Sequence, residues 1–158
     1  MTKKYLSQDE ALLKMQHYCA YQERCQDEVR SKLIECGVYG EVLENIIAEL
    51  ITDNFLNEER FAKTFATGKF RQKKWGLRKI QTALKSKGVS DSLIAKALQT
   101  IDKNHYRQSL HDLLEKKAKT LKETDPLKRR MKLQNFLLTK GYEPEMVIDA
   151  VKAISGNG

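Results

Sequence analysis

Apolar residues along this 158-residue chain recur at intervals of three and four, and no run alternates in the period-two manner of a strand. That spacing predicts helices throughout. A longer period lies above it. Gly37, Gly88 and Gly141 can be aligned so that Leu33, Leu84 and Leu137 fall four residues before them. Val29, Ile80 and Leu133 then fall eight before, and Val38, Val89 and Tyr142 directly after. Further on come Val42/Leu43, Leu93/Ile94 and Met146/Val147, then Ile47, Leu98 and Val151, then Leu50, Ile101 and Ile154. Each copy reads as a helix closed by a glycine, a short turn and a second helix, since glycine takes the left-handed conformation that ends a helix. Ser90 suits an N-cap in the second copy, and Pro144 the first turn in the third.

One more helical pattern precedes each pair: "SQDEALLKMQHYCAYQ" opened by Ser7 or Asp9, "NEERFAKTFATGKFRQ" with Asn57 as N-cap, and "YRQSLHDLLEKKAKTL". The chain is therefore expected to be all-α, an elongated tandem array of three three-helix repeats. The expected boundaries are 1–56, 57–101 and 102–155, with a frayed tail at 156–158.

Charge is unevenly spread over these repeats. Residues 1–56 hold 6 basic and 10 acidic residues, a net of −4; residues 57–101 hold 11 and 3, a net of +8; residues 102–158 hold 12 and 8, a net of +4. After Glu59 no acidic residue occurs until Asp91, while ten basic ones intervene. A helix over Gly76–Lys87 would bury Leu77, Ile80 and Leu84 and turn Arg78 and Lys85, two turns apart, outward. Lys69, Arg71, Lys73 and Lys74 crowd the joint before it, with Lys79 and Lys87 alongside. No acidic neighbour at helical spacing neutralises them. The pattern favours a polyanion or acidic protein surface as partner over a merely solvated face. A second group, Lys128, Arg129, Arg130 and Lys132, extends the same strip or forms a solvated face equally well. The lone Trp75 is read as a core plug at a helix joint ahead of a base-stacking or partner-anchoring residue, and Gly76 as a structural residue giving the turn into the basic helix.

"FLNEERFA" at Phe55–Ala62 followed by "WGLRKIQTALKSKGV" at Trp75–Val89 resembles the RecX regulatory family, which shows a "yLDD-RFA" element and a "G-I-L-KG" element at this separation. Upstream, "YCAYQERCQDEVRSKLIECG" at Tyr18–Gly37 is similar to that family's "R-S-EL--KL--KG" element. The resemblance spans roughly residues 8–155. Asn57 and Glu58 stand where the family has an Asp pair, one good cap for another; Cys25 stands where it has Ser, a poorer cap. The resemblance implies a tandem-repeat protein that binds the helical groove of the RecA recombinase filament and modulates it, usually as an inhibitor, in recombination, DNA repair and the SOS response. It implies no enzymatic activity and no cofactor. Single-stranded DNA, directly or through the filament, is then a further partner. The residues expected to carry filament or nucleic-acid binding are Lys69, Arg71, Lys73, Lys74, Arg78, Lys79, Lys85, Lys87, Lys128, Arg129 and Arg130. The alternatives are a general nucleic-acid-binding helical protein using the basic second repeat, and a protein-binding adaptor.

Other chemistry finds little support. Cys19, Cys25 and Cys36 are odd in number and lack metal-ligand spacing, so reduced thiols are expected. His17, His105 and His111 share no ligand-like spacing. Glu41, Glu44, Glu49 and Asp53 follow the outside of a helix and read as a solvated acidic face. No phosphate-binding glycine loop or nucleophile motif occurs, so an enzyme is not expected. The start of the chain does not read as a signal peptide, no apolar run approaches a membrane span, and a cytoplasmic monomer is expected.

Overall fold

The computed structural model describes residues 6–155. Among them nine α-helices and no strand form: α1 (Gln8–Tyr21), α2 (Gln26–Glu35), α3 (Gly40–Thr52), α4 (Glu58–Lys73), α5 (Leu77–Ser86), α6 (Asp91–Gln99), α7 (Lys103–Thr120), α8 (Pro126–Lys140) and α9 (Pro144–Ile154). The expected helices are all present. The tail at 156–158 lies outside the described residues.

Local chemistry explains most helix ends. The Ser7 hydroxyl accepts the Glu10 N–H while Glu10 accepts the Ser7 N–H, a reciprocal capping box. Asn57 Oδ1 accepts the Arg60 N–H at 2.9 Å, and the carboxylates of Asp102 and Asp125 accept the N–H groups of His105 and Lys128. Ser90 caps α6 weakly, at 3.4 Å. At α2 the cap position is Cys25, and neighbouring carboxylates take over. Glu28 accepts the Cys25 N–H at 2.9 Å and Glu58 accepts the Gln26 N–H at 2.6 Å. Half-burial of Glu58 raises its pKa above the ordinary carboxylate value. The three aligned glycines close α2, α5 and α8 in the same way. Each has positive φ (81°, 81° and 103°). The following N–H reaches back to the carbonyl five residues earlier: Val38 to Leu33, Val89 to Leu84, Tyr142 to Leu137.

The chain packs into two compact units, one of Met1–Phe65 with Leu84–Ala97, the other of Ala66–Ala83 with Leu98–Gly158. Both α4 and α5 therefore contribute residues to each unit. In the first unit Ala11, Met15, Cys19, Val29, Leu33, Leu43, Ile46, Ile47 and Leu50 form the core of α1–α3. Burial raises the pKa of Cys19 to about 11 and that of Cys25 to about 12, so both thiols stay protonated. In the second unit Ile80, Tyr106, Leu110, Leu114, Leu133, Leu137, Tyr142, Val147 and Val151 are buried.

The repeat alignment has a physical basis. Leu33, Leu84 and Leu137 are each 0% exposed, and each full burial is worth about 1.5–3 kcal/mol. The match loosens further on: Val42 is 39% exposed, and Leu98 is half-buried where Ile47 and Val151 are buried. Leu50 and Ile101 are buried, but Ile154 is 48% exposed because α9 ends there. Among the described residues no helix is long and apolar enough to cross a membrane.

Candidate functional site

The basic residues of the second unit gather where α4 ends and α5 begins. The joint is tight. Lys74 adopts φ 57°, the left-handed conformation that a side chain disfavours. Its N–H still reaches the Phe70 carbonyl at 3.0 Å. The Lys74 carbonyl accepts the Tyr142 hydroxyl at 3.0 Å, and the Tyr142 oxygen in turn lies 2.9 Å from the Ser109 hydroxyl. Since the Tyr142 proton is spent on Lys74, Ser109 is the donor to Tyr142. Tyr142 is 0% exposed, and burial raises its pKa.

The start of α5 is held by the turn between α8 and α9. The N–H of Gly76 donates to the Lys140 carbonyl at 2.7 Å and that of Arg78 to the Gly141 carbonyl at 3.0 Å. The N–H between them, of Leu77, donates to the Tyr106 hydroxyl at 2.9 Å. The Tyr106 hydroxyl in turn donates to the Glu143 carboxylate. Burial first, and this carboxylate second, push the Tyr106 pKa well above the ordinary phenol value. Its ring stacks on Tyr142 with centroids 5.0 Å apart and leans on Phe70 at 5.8 Å.

Gly76 has a reason different from the expected one. Its φ is not in the left-handed range, so the turn does not require glycine. Space does: an added Cβ would stand 2.2 Å from the Gly141 carbonyl carbon and 2.3 Å from the Tyr142 nitrogen. Two backbones touch at this point, and neither can carry a side chain there.

Around this rigid joint the cations divide into three groups. Arg71, Lys73, Lys74 and Arg78 are exposed and make no ion pair among the described residues. Lys69 and Lys79 are half-buried and lie over the Trp75 ring, their ammonium groups 5.0 and 4.7 Å from its centroid. Trp75 is thus not the fully enclosed plug expected. It is half-buried and flanked by cations. The third group, on α8, is split. Lys128 is exposed and Arg130 half-buried beside a groove of about 530 Å³. Arg129 is otherwise committed, donating to the carbonyls of Ala118, Leu121 and Glu123 at 2.6, 3.0 and 3.3 Å. It caps the C-terminus of α7, so its guanidinium is spent inside the fold rather than on an anion-facing strip.

The remaining expected residues belong to the first unit. Lys85 lies 3.7 Å from the Asp91 carboxylate. Lys87 lies 3.9 Å from Glu28 and 5.7 Å from the Phe65 centroid. Both have local work that the sequence did not reveal. Elsewhere in this unit Arg60 pairs with Glu23, and Lys96 lies 3.3 Å from Glu59. Among the described residues no three His, Cys, Asp or Glu side chains converge as metal ligands.

Sequence reasoning missed the polar network of Tyr106, Ser109, Tyr142 and Glu143. Its only signal was two tyrosines in otherwise aliphatic helical patterns.

Comparison with known proteins gives a consistent result. The family model for the second three-helix domain of RecX matches residues 57–98, and that for the third matches residues 106–151. A regulatory protein RecX of Clostridium perfringens strain 13 is 33% identical over 136 residues, covering 85% of this chain. One from Clostridium botulinum strain Eklund 17B is 34% identical over 131 residues, covering 82%. One from Bacillus mycoides is 27% identical over 137 residues, covering 87%. The chain spans 63%, 61% and 51% of the lengths of these three relatives. A crystal structure of RecX from Lactobacillus salivarius shares the fold with a TM-score of 0.83 at 22% identity, over 93% of this chain and 96% of that one. A second crystal structure, of a regulatory protein RecX, also gives 0.83, at 24% identity, over 92% of this chain and 71% of the other. With both domain models in chain order over the helices described above, the chain belongs to the RecX family.

Proposed function

We propose that this protein is a non-catalytic regulator that binds the RecA filament on single-stranded DNA and restrains its recombinase activity in recombination, DNA repair and the SOS response. Family membership supports the regulatory class. The observation that carries the binding surface is the set Arg71, Lys73, Lys74 and Arg78: exposed, without an acidic partner among the described residues, and fixed on a joint held by hydrogen bonds to the turn after α8. Like charges so close repel one another, and an anion relieves that repulsion. Lys128 and Arg130 are proposed as a second contact, and Lys69 and Lys79 as inner members of the first.

The test is co-sedimentation with preformed RecA filaments on single-stranded DNA, compared with the DNA alone and with RecA alone. The double variant Lys74→Glu/Arg78→Glu should melt no lower than the parent, because exposed charges contribute little to folding and a glutamate in the first turn of α5 suits the helix dipole. It should bind filaments about tenfold or more weakly and lose its effect on strand exchange. A double variant that binds and regulates like the parent overturns the assignment.

A further inference from the structure

The same joint carries more than charge. Trp75 is the single tryptophan of the chain, it is half-buried, and two ammonium groups lie within about 5 Å of its ring centroid, while four further cations stand beside it in sequence. A carboxylate surface would need only the cations. A nucleic-acid strand offers both an anion at every phosphate and a flat π-face at every base, and an unpaired base is needed to present that face. Resting on the filament reading above, we propose that Trp75 with Lys69, Lys74 and Lys79 forms a subsite for single-stranded DNA itself: one base stacks on the indole and the flanking phosphates are taken by the lysines.

Three features favour this arrangement. First, Trp75 is not loosely placed. Its N–H reaches the Lys69 carbonyl at 3.3 Å, it follows the pinned Lys74, and it precedes a glycine locked against Gly141. A backbone ordered in this way loses little freedom on binding. Second, the two lysines over the ring keep the site open to anions. A base that takes the ring face displaces an ammonium group, and the flexible lysine stem carries it to the adjoining phosphate. Third, no acidic residue stands between Glu59 and Asp91 to compete for these cations along the chain. Recognition of this kind tracks the backbone and tolerates any base sequence.

The lone tryptophan supplies its own reporter. Titration of the free protein with a short oligothymidylate should quench the Trp75 fluorescence saturably, with affinity falling steeply as salt rises, by a log–log slope of about −0.7 per phosphate contact. An abasic strand of equal length should bind about tenfold more weakly and quench little. Trp75→Leu should bring the normal strand down to the affinity of the abasic strand while leaving abasic binding, read by fluorescence anisotropy of a labelled strand, unchanged. That unchanged binding also certifies the fold of the variant. Equal affinity for the two strands, or a Trp75→Leu variant that still prefers the normal strand, overturns the stacking subsite. No binding of DNA, together with intact co-sedimentation on RecA filaments, overturns it too. In that case the filament reading stands, with acidic protein side chains as the partner of the basic joint. Failure on filaments with retained DNA binding overturns the filament reading instead.

Discussion

Replacing Gly76 with alanine is the sharpest test of how the basic joint is held. The new methyl group would begin 2.2 Å from the Gly141 carbonyl carbon, 2.3 Å from the Tyr142 nitrogen and 2.4 Å from the Gly141 oxygen. Carbon contacts relax at about 3.5–4.0 Å, so the two backbones must part by roughly an ångström or more. Neither side can yield as a flexible side chain would. The parting breaks the Gly76 bond to Lys140 and the Arg78 bond to Gly141, now 2.7 and 3.0 Å. Two such bonds are worth about 2 kcal/mol together. Overpacking adds about 1–3 kcal/mol. A less flexible unfolded chain returns about 0.5–1 kcal/mol. The net loss is about 2–4.5 kcal/mol. Urea unfolding followed by circular dichroism reads it as a lower midpoint at unchanged slope. Gly68→Ala is the control: it lies inside α4 with nothing within 4 Å of the new methyl group, and should stabilise by about 0.5–1 kcal/mol. If Gly76→Ala lies within about 0.5 kcal/mol of the parent, the ordinary range of a neutral surface change, the close approach does not hold the joint.

Three further outcomes follow from the same structure. At pH 8 only Cys36 should react quickly with a thiol reagent under native conditions. Cys19 and Cys25 are buried, and at a pKa of about 11 the Cys19 thiolate is about one part in a thousand there. Fast labelling of all three would contradict the first-unit core. Glu58→Gln keeps the acceptor for the Gln26 N–H and removes a half-buried charge, so it should be at least as stable as the parent at neutral pH. The folded-state pKa of Glu58 is raised, so its penalty is present above that pKa and vanishes as pH falls through it. The difference in urea midpoint should therefore close on acidification, and a gap that widens would refute this. Finally, raising salt from low to physiological strength shortens the screening length from about 30 to about 8 Å. Melting temperature should hold or rise while filament binding falls. A melting temperature that drops with salt would mean that ion pairs, not packing, hold the fold.

What could be read from the sequence was what neighbours in the chain decide. Ser7 and Asn57 cap helices because the N–H they accept lies three residues on, and the aligned glycines end helices through bonds to the carbonyls just before them. The aliphatic positions at three and four gave the core faces, and Leu33, Leu84 and Leu137 were legible as one position in three copies. Residues whose role depends on distant chain were not. Arg129 looked like a surface cation because the carbonyls it caps belong to the preceding helix and its exit. Lys87 looked unpaired because Glu28 lies in another helix of its unit. Gly76 looked like a turn residue because only the folded chain brings Gly141 against it. The basic joint was legible as a run of charge, but composition alone could not separate the exposed members from those drawn onto an aromatic ring.

The start of α5 sets folding against surface charge, and the structure shows how the two are reconciled. Helix N-termini favour acidic residues, because the first N–H groups point outward with a partial positive charge. This helix has none in its first turn and carries Arg78 and Lys79 instead. Its own sequence offers no side-chain cap. Starting the helix is delegated to α7 and the turn after α8: the Lys140 and Gly141 carbonyls and the Tyr106 hydroxyl take three successive N–H groups. Glu143 is connected to this end through the Tyr106 hydroxyl, and among the described residues it forms no ion pair with the cations of the joint. It therefore offsets the helix dipole without pairing with the outward cations. A Glu or Asp within the first turn would have stabilised the helix more directly, at the cost of placing a negative charge among Lys74, Arg78 and Lys79. Local rules of helix design are broken here, and the compensation sits in a buried tyrosine and two carbonyls remote in sequence. That is the pattern expected of the partner surface proposed above.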